Sequence, residues 1–229
     1  MPFFHAADGT KLYYEESGTG IPVLALSGLT RNTRDFDHVA PHLPVRLIRM
    51  DYRGRGESEW ADYKTYNIPQ EAADALALLD HLGLEQAAIL GTSRGGLIAM
   101  LLAATAKDRL LGVVLNDIGP EIDPKGMAVI ANYIGKNPVE DNHEDAAQAR
   151  ARNWVHFKGV PHARWLAEVR AHYAQTADGL VVRYDPKLRD AVLEGLEQPT
   201  PDLWPLYDAL GGLPLLAAEM PLIGLTARM

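Results

Sequence analysis

The chain has no cysteine among its 229 residues. Disulfides, thiolate metal sites and cysteine nucleophiles are therefore excluded. Positive charge is scarce: 22 Lys and Arg stand against 30 Asp and Glu, a formal net charge of -8. That balance argues against nucleic acid or an anionic membrane as the main partner. No apolar run is long enough to span a bilayer. The start, Met1-Pro2-Phe3-Phe4-His5, has no basic region and no long apolar core, so it does not read as a signal peptide. Repeats, low-complexity tracts and glycosylation sequons are missing too. No cluster of His or carboxylates has metal-ligand spacing, so neither a metal nor a cofactor is expected. A soluble cytoplasmic protein acting on a small molecule fits these exclusions, and a hydrophobic content of 47% suffices for a sizeable core.

What is present centres on Ala87-Ala88-Ile89-Leu90-Gly91-Thr92-Ser93-Arg94-Gly95-Gly96-Leu97-Ile98. An apolar run, a turn of small residues and a second apolar run read as strand, sharp turn and helix. Gly91 and Gly95 flank Ser93 by two residues each, where a side chain would collide as the chain reverses. This Gly-x-Ser-x-Gly spacing forces the serine into a strained conformation with its hydroxyl outward, a nucleophile elbow. Two plainer readings compete: Ser93 as an ordinary helix N-cap, or an anion site at the helix start.

Around this stretch the chain alternates. Phe3 to Ala6 and Lys11 to Glu15 read as a hairpin about Asp8-Gly9. Pro22 to Leu26 is a strand buried on both faces, followed by Ser27-Gly28-Leu29-Thr30. Asp35 is expected to cap a short helix through Leu43. Val45 to Met50 is a strand running into Asp51-Tyr52-Arg53-Gly54-Arg55-Gly56-Glu57-Ser58. A dinucleotide fingerprint fails there, because its third glycine would fall at Glu59; a tight loop with two exposed arginines is expected. Asn67-Ile68-Pro69-Gln70 opens a capped helix that ends at Gly83. Leu111 to Leu115 is another strand, ending in Asn116-Asp117-Ile118-Gly119-Pro120. The alternation implies an α/β fold, a mostly parallel doubly wound sheet with helices on both faces and chemistry at the carboxyl ends of the strands. Ser27-Gly28-Leu29, Asp51, Ser93 and Asp117 all fall at those ends.

Three divisions are expected: a core over 1–120, a helical cap over 121–210, and a return strand with an atypical tail over 211–229. Cap helices are expected around Met127–Tyr133, His143–Trp154, Pro161–Ala174, Leu188–Leu196 and Asp202–Leu210. Three of the four tryptophans, Trp154, Trp165 and Trp204, lie in the cap. Leu213-Pro214-Leu215-Leu216 reads as the return to the sheet.

Four blocks resemble the α/β-hydrolase superfamily, in particular small bacterial serine hydrolases with a helical cap. They are Leu26-Ser27-Gly28-Leu29, Asp51-Tyr52-Arg53-Gly54-Arg55-Gly56-Glu57-Ser58, Gly91-Thr92-Ser93-Arg94-Gly95-Gly96 and Val114-Leu115-Asn116-Asp117-Ile118-Gly119-Pro120. The resemblance implies that Ser93 is an acyl-enzyme nucleophile and that the N–H groups of Arg94 and Leu29 form an oxyanion hole. It disfavours the dehalogenase and epoxide-hydrolase branches, which carry aspartate at the elbow. Water attacking a carboxylic ester, lactone or similar acyl group is the implied reaction.

The match breaks at the base. The superfamily order is nucleophile, acid, histidine. The eight histidines here are His5, His38, His42, His81, His143, His156, His162 and His172, none of them beyond residue 172. The catalytic histidine is thus unassigned, and the chain reads as lacking the final strand, its helix and the histidine loop. Cap histidines are expected on helical surface. Asp117 is the better candidate acid, with a turn-shaping role as its alternative, and Glu219 is a weaker one. The expectation is an impaired hydrolase that self-associates at an exposed sheet edge. The alternative is a non-catalytic binding or remnant protein on the same fold.

Overall fold

The computed structural model describes residues 2–155 and 157–218. His156, Glu219 and the rest of the 219–229 tail, on which expectations about a base, an acid and an atypical ending fell, lie outside the described residues.

Seven strands form the central sheet among these residues: β1 (Phe3–His5), β2 (Lys11–Ser17), β3 (Pro22–Leu26), β4 (Arg46–Met50), β5 (Ala87–Thr92), β6 (Leu110–Asn116) and, after a long intervening segment, β9 (Leu215–Ala218). Their order is β1-β2-β4-β3-β5-β6-β9. β1 and β2 pair antiparallel, as does β2 with β4; β4, β3, β5, β6 and β9 run parallel. Parallel strands with both faces covered become continuous apolar runs, and Leu24, Ala25 and Leu26 are fully buried. The expected return strand is β9, whose Val113↔Leu215 and Asn116↔Ala218 register extends the sheet. Its Leu215 and Leu216 are exposed.

Two helices pack on this sheet within the first half of the chain. Helix α1 (Ile68–His81) begins as its sequence dictates: Asn67 accepts from the Gln70 N–H, and Pro69 occupies the first turn. Gly83, at φ +66, ends it. Helix α2 (Arg94–Thr105) follows β5 directly and buries Ile98, Ala99, Met100, Leu102 and Ala103 in the main core.

Two expectations are corrected here. Asp35 caps nothing: Asn32 accepts from the Arg34 N–H and starts a 3-10 turn at Thr33–Phe36, with a second turn at Ala40–His42 in place of a continuous helix. Arg53 and Arg55 are not exposed but wholly buried. An arginine enters an interior only with its charge matched, and each has its match. Arg53 forks onto Asp74 with bonds of 2.7 Å and reaches Asp8 at 2.8 Å. Arg55 lies 3.0 Å from Glu71 and between the rings of Tyr52 and Tyr66. The contact between Arg55 and Glu71 Oε1 is an ion pair without hydrogen-bond alignment.

Between β6 and β9 the chain forms α3 (Pro124–Tyr133), α4 (His143–Asn153), α5 (His162–His172), α6 (Leu188–Leu196) and α7 (Trp204–Asp208). The segment is not helical alone, as the sequence reading has it: β7 (Tyr173–Thr176) and β8 (Gly179–Val182) make an antiparallel hairpin straight out of α5. Asp178-Gly179 is the turn signal, overlooked behind the helical pattern upstream. Trp165 is buried with Val169 and Leu180, and its ring meets those of Trp154 and Phe157 edge-on, so these aromatics serve the layer's own core. No helix among the described residues is long and apolar enough to cross a membrane.

Candidate active site

The carboxyl ends of β3, β5 and β6 meet around Ser93. Its backbone sits at φ 50, ψ -110, a region that costs a non-glycine residue on the order of 1–3 kcal/mol. The neighbours enforce it. A Cβ on Gly91 would stand 2.5 Å from the Gly95 carbonyl oxygen, and one on Gly95 would strike the carbonyl of Leu26. Only glycines let β5 turn into α2 against β3. Ser93 heads the helix, yet its side chain makes no capping hydrogen bond, so the plain N-cap reading finds no support.

Main-chain bonds lock the three strand ends together. The Ser93 N–H donates to Asn116 O at 2.9 Å, and the Gly95 N–H donates to Ser27 O at 3.2 Å. Ser27 O also accepts from the Tyr52 hydroxyl at 3.0 Å. The Arg31 N–H donates to Gly28 O at 3.1 Å. Because a trans peptide holds its C=O and N–H antiparallel, this turns the N–H of Leu29 away from Arg31. Leu29 O is held separately, by Arg55 Nε at 3.1 Å. The Arg94 N–H belongs to the first turn of α2, where donors have no intrahelical partner.

Asp117 directly follows β6 at φ 56, another left-handed non-glycine position. Its N–H donates to Ala218 O at 2.8 Å, so β9 fixes its place. The structure thus gathers the backbones of residues 29, 93, 94 and 117 at one rim of the sheet. The Arg94 side chain is directed elsewhere: Nε reaches Glu71, and Nη2 donates to Tyr66 O at 3.0 Å.

Among the described residues no histidine hydrogen-bonds Ser93. His143 Nε2 lies 2.9 Å from Tyr173 O, His162 pairs with Glu144, and His81 packs on Phe4 and Tyr14. His172 corrects the expectation of exposed cap imidazoles. It is buried at the end of α5, with Arg31 and Arg150 at its Nδ1. Burial, then those arginines, hold its pKa well below the ordinary imidazole range.

Sequence reasoning missed Glu71, a fully buried carboxylate on α1 that binds both Arg55 and Arg94. A charged residue on the apolar side of α1, facing two arginines in separate turns, was the available signal. Asp51 was noticed only for its position. It is buried, accepts the N–H groups of Thr33 at 2.6 Å and Glu57 at 2.8 Å, and so ties together the loops after β3 and β4. Burial pushes its pKa up to about 7, against the pull of those bonds.

Residues 21–158 match the family model described as the alpha/beta hydrolase fold. The chain belongs to this family. It is similar to the 3-hydroxybutyrate-oligomer hydrolase of Cupriavidus necator, 34% identical over 196 residues, which are 81% of this chain and 67% of that protein. A non-heme haloperoxidase of Rhodococcus erythropolis is 32% identical over 139 residues, 56% of this chain and 50% of the relative. The crystal structure of an alpha/beta hydrolase from Novosphingobium aromaticivorans superposes with a TM-score of 0.83 at 34% identity, over 94% of this chain and 79% of that one. The chain therefore spans between half and two thirds of the length of these two curated relatives. Its family is one of hydrolases, and the mostly parallel sheet with its helices is the family's fold.

Proposed function

We propose that this α/β-hydrolase family member is a serine hydrolase of small carboxylic esters or lactones, acting through an acyl-enzyme on Ser93. The observation that carries the reading is the strained backbone of Ser93, with a hydroxyl that the helix start leaves uncapped. Strain of that kind persists where a function needs the side chain presented. The N–H groups of Arg94 and Leu29 would stabilise the oxyanion, and neither needs its side chain to do so. Asp117 would be the acid that orients a base. The similar hydrolase of Cupriavidus necator is named for 3-hydroxybutyrate oligomers; a linear hydroxy-acid oligomer is joined by ester bonds, which fits the class.

No imidazole among the described residues accompanies Ser93, and an unassisted serine hydroxyl is a poor nucleophile at neutral pH. Slow chemistry follows, since triads lacking a member keep only roughly 10³–10⁴-fold acceleration over water. A fluorophosphonate probe tests both parts. Slow stoichiometric labelling is expected, mapped to Ser93 by peptide analysis and lost in Ser93→Ala. Rapid labelling, or brisk Ser93-dependent turnover of p-nitrophenyl acetate, would overturn the impairment alone. No labelling of a folded protein would favour a non-catalytic binding role. Ser93→Gly, which relieves the left-handed backbone, should abolish labelling while raising stability by about 1 kcal/mol.

A further inference from the structure

The loop that carries Leu29 also carries Arg31, whose role the hydrolytic reading leaves open. The Arg31 side chain folds back along this loop, with Cγ 3.2 Å from where a Cβ on Gly28 would lie. Arg150, on α4, reaches the same imidazole as Arg31, that of His172. Each guanidinium puts its Nη1 2.7 Å from a single atom, Nδ1 of His172. A neutral imidazole offers one lone pair at one nitrogen, so it can satisfy one of these two donors and leaves the other in surplus.

Charge is in surplus as well. Arg31, Arg150 and Arg164 gather on Glu168, at 2.9, 3.7 and 2.9 Å, and Arg31 also meets Asp35 at 3.2 Å. Three cations face two carboxylates. Burial pushes the Asp35 carboxyl up to about 6, which adds to the imbalance below that pH. The surplus is not sealed in: the side chains of Arg31 and Arg150 remain 26% and 13% exposed. A phenol stands beside them: the Tyr173 hydroxyl accepts from Arg150 Nη2 at 3.1 Å.

A latch between the α5 segment and the Arg31 loop would need only the Arg31–Glu168 pair. It gives no reason for a second guanidinium crowded onto the same imidazole. Paired guanidinium forks beside a hydroxyl donor are suited to a carboxylate, which accepts several short charge-assisted bonds at once. We propose that Arg31 and Arg150, with the Tyr173 hydroxyl beside them, bind a free carboxylate on the ester that Ser93 attacks. The substrate class is then half-esters of dicarboxylic acids and esters between hydroxy acids, in preference to neutral esters. This rests on the Ser93 reading above, because only then does the bound carboxylate belong to a substrate.

The test compares monomethyl glutarate with dimethyl glutarate by titration calorimetry on Ser93→Ala, which cannot turn either over. The half-ester is expected to bind at least tenfold tighter, and the difference should vanish in Ser93→Ala combined with Arg150→Gln or with Arg31→Gln. Should either glutamine variant lose its fold by circular dichroism, Arg150→Lys keeps the charge but not the fork and should narrow the difference at least threefold. Equal affinity for the two esters, or a preference that survives both glutamine variants, would overturn the subsite. Labelling of Ser93 is an independent readout. Labelling without a carboxylate preference sinks the subsite alone; a preference without labelling sinks the nucleophile reading and leaves a carboxylate-binding site.

Discussion

Two buried charge clusters in this protein are built from the same side chains and behave differently. One lies under the Arg53–Arg55 loop, where Asp74, Asp8 and Glu71 meet Arg53, Arg55 and Arg94. The other lies where Arg31 and Asp35 meet Arg150, Arg164, Glu168 and His172. In the first, Arg53, Arg55 and Glu71 are wholly buried, and apart from the exposed Asp8 of the β1–β2 turn the partners lie in the loop, α1 and the start of α2. In the second, the partners sit on elements far apart in sequence, most of them partly exposed, and an imidazole sits among the cations. The first cluster shapes a loop. The second joins α4 and α5 to the loop carrying Leu29, and it keeps unspent donors. Full burial gives structure even where Arg55 Nη2 is left without a hydrogen-bond partner, whereas partial burial with a surplus of cations leaves something for a ligand to bind.

Breaking the first cluster should have the largest effect. Glu71→Gln leaves two buried arginines facing a neutral amide, and removing one partner of a buried ion pair costs about 3–5 kcal/mol. Chemical denaturation would measure it; a loss under 1 kcal/mol would erase the distinction drawn between the clusters. Glu168→Gln, at the second cluster, should cost less, about 1–2 kcal/mol, because Arg31 and Arg164 can turn toward solvent. The same variant should raise hydrogen exchange in α5 while leaving that of α1 unchanged. Arg94→Gln sharpens the comparison from the core side. It should cost about 1 kcal/mol through Glu71, yet keep Ser93 labelling within a few-fold of the parent, since the proposed oxyanion donor is the backbone N–H.

The smallest effect is in the pH dependence. A His held below its ordinary pKa in the folded state binds fewer protons there than when unfolded. Stability from His172 is therefore lost as pH falls below about 6.5. Asp35 and Asp51, raised to about 6 and about 7, act in the opposite sense: their contribution is full below the unfolded carboxylate range and is lost as pH rises through those values. The opposed slopes should leave the parent curve shallow between pH 5 and 7. His172→Asn removes one of them, so its stability should fall steadily as pH rises over that range. An unchanged slope would mean that the imidazole is not the neutral member of the cluster.

Where a local rule decided the outcome, the residues alone announced it. Asn67, Pro69 and Gly83 bound α1, and Gly91, Ser93 and Gly95 give the elbow, because caps and close turns depend on residues a few positions apart. Asp35 was misplaced because Asn32, three residues earlier, offers the same capping chemistry. The β7–β8 hairpin was hidden because α5 runs straight into it without a break. Arg53 and Arg55 read as exposed for a different reason. Their partners are Asp8, Asp74 and Glu71, up to 45 positions away, and no local pattern connects them.

The strand–helix alternation from β3 to β6, the parallel sheet, the elbow and the lack of any thiol chemistry followed from the sequence by itself. Periodicity, capping and hard-sphere contact act over short stretches of chain. Tertiary structure alone decided which charges are buried, that Glu71 anchors Arg94 and Arg55, and that two arginines from opposite halves of the chain converge on His172. Electrostatic pairing depends on distance through space, and that distance exists only once the sheet has brought remote segments together.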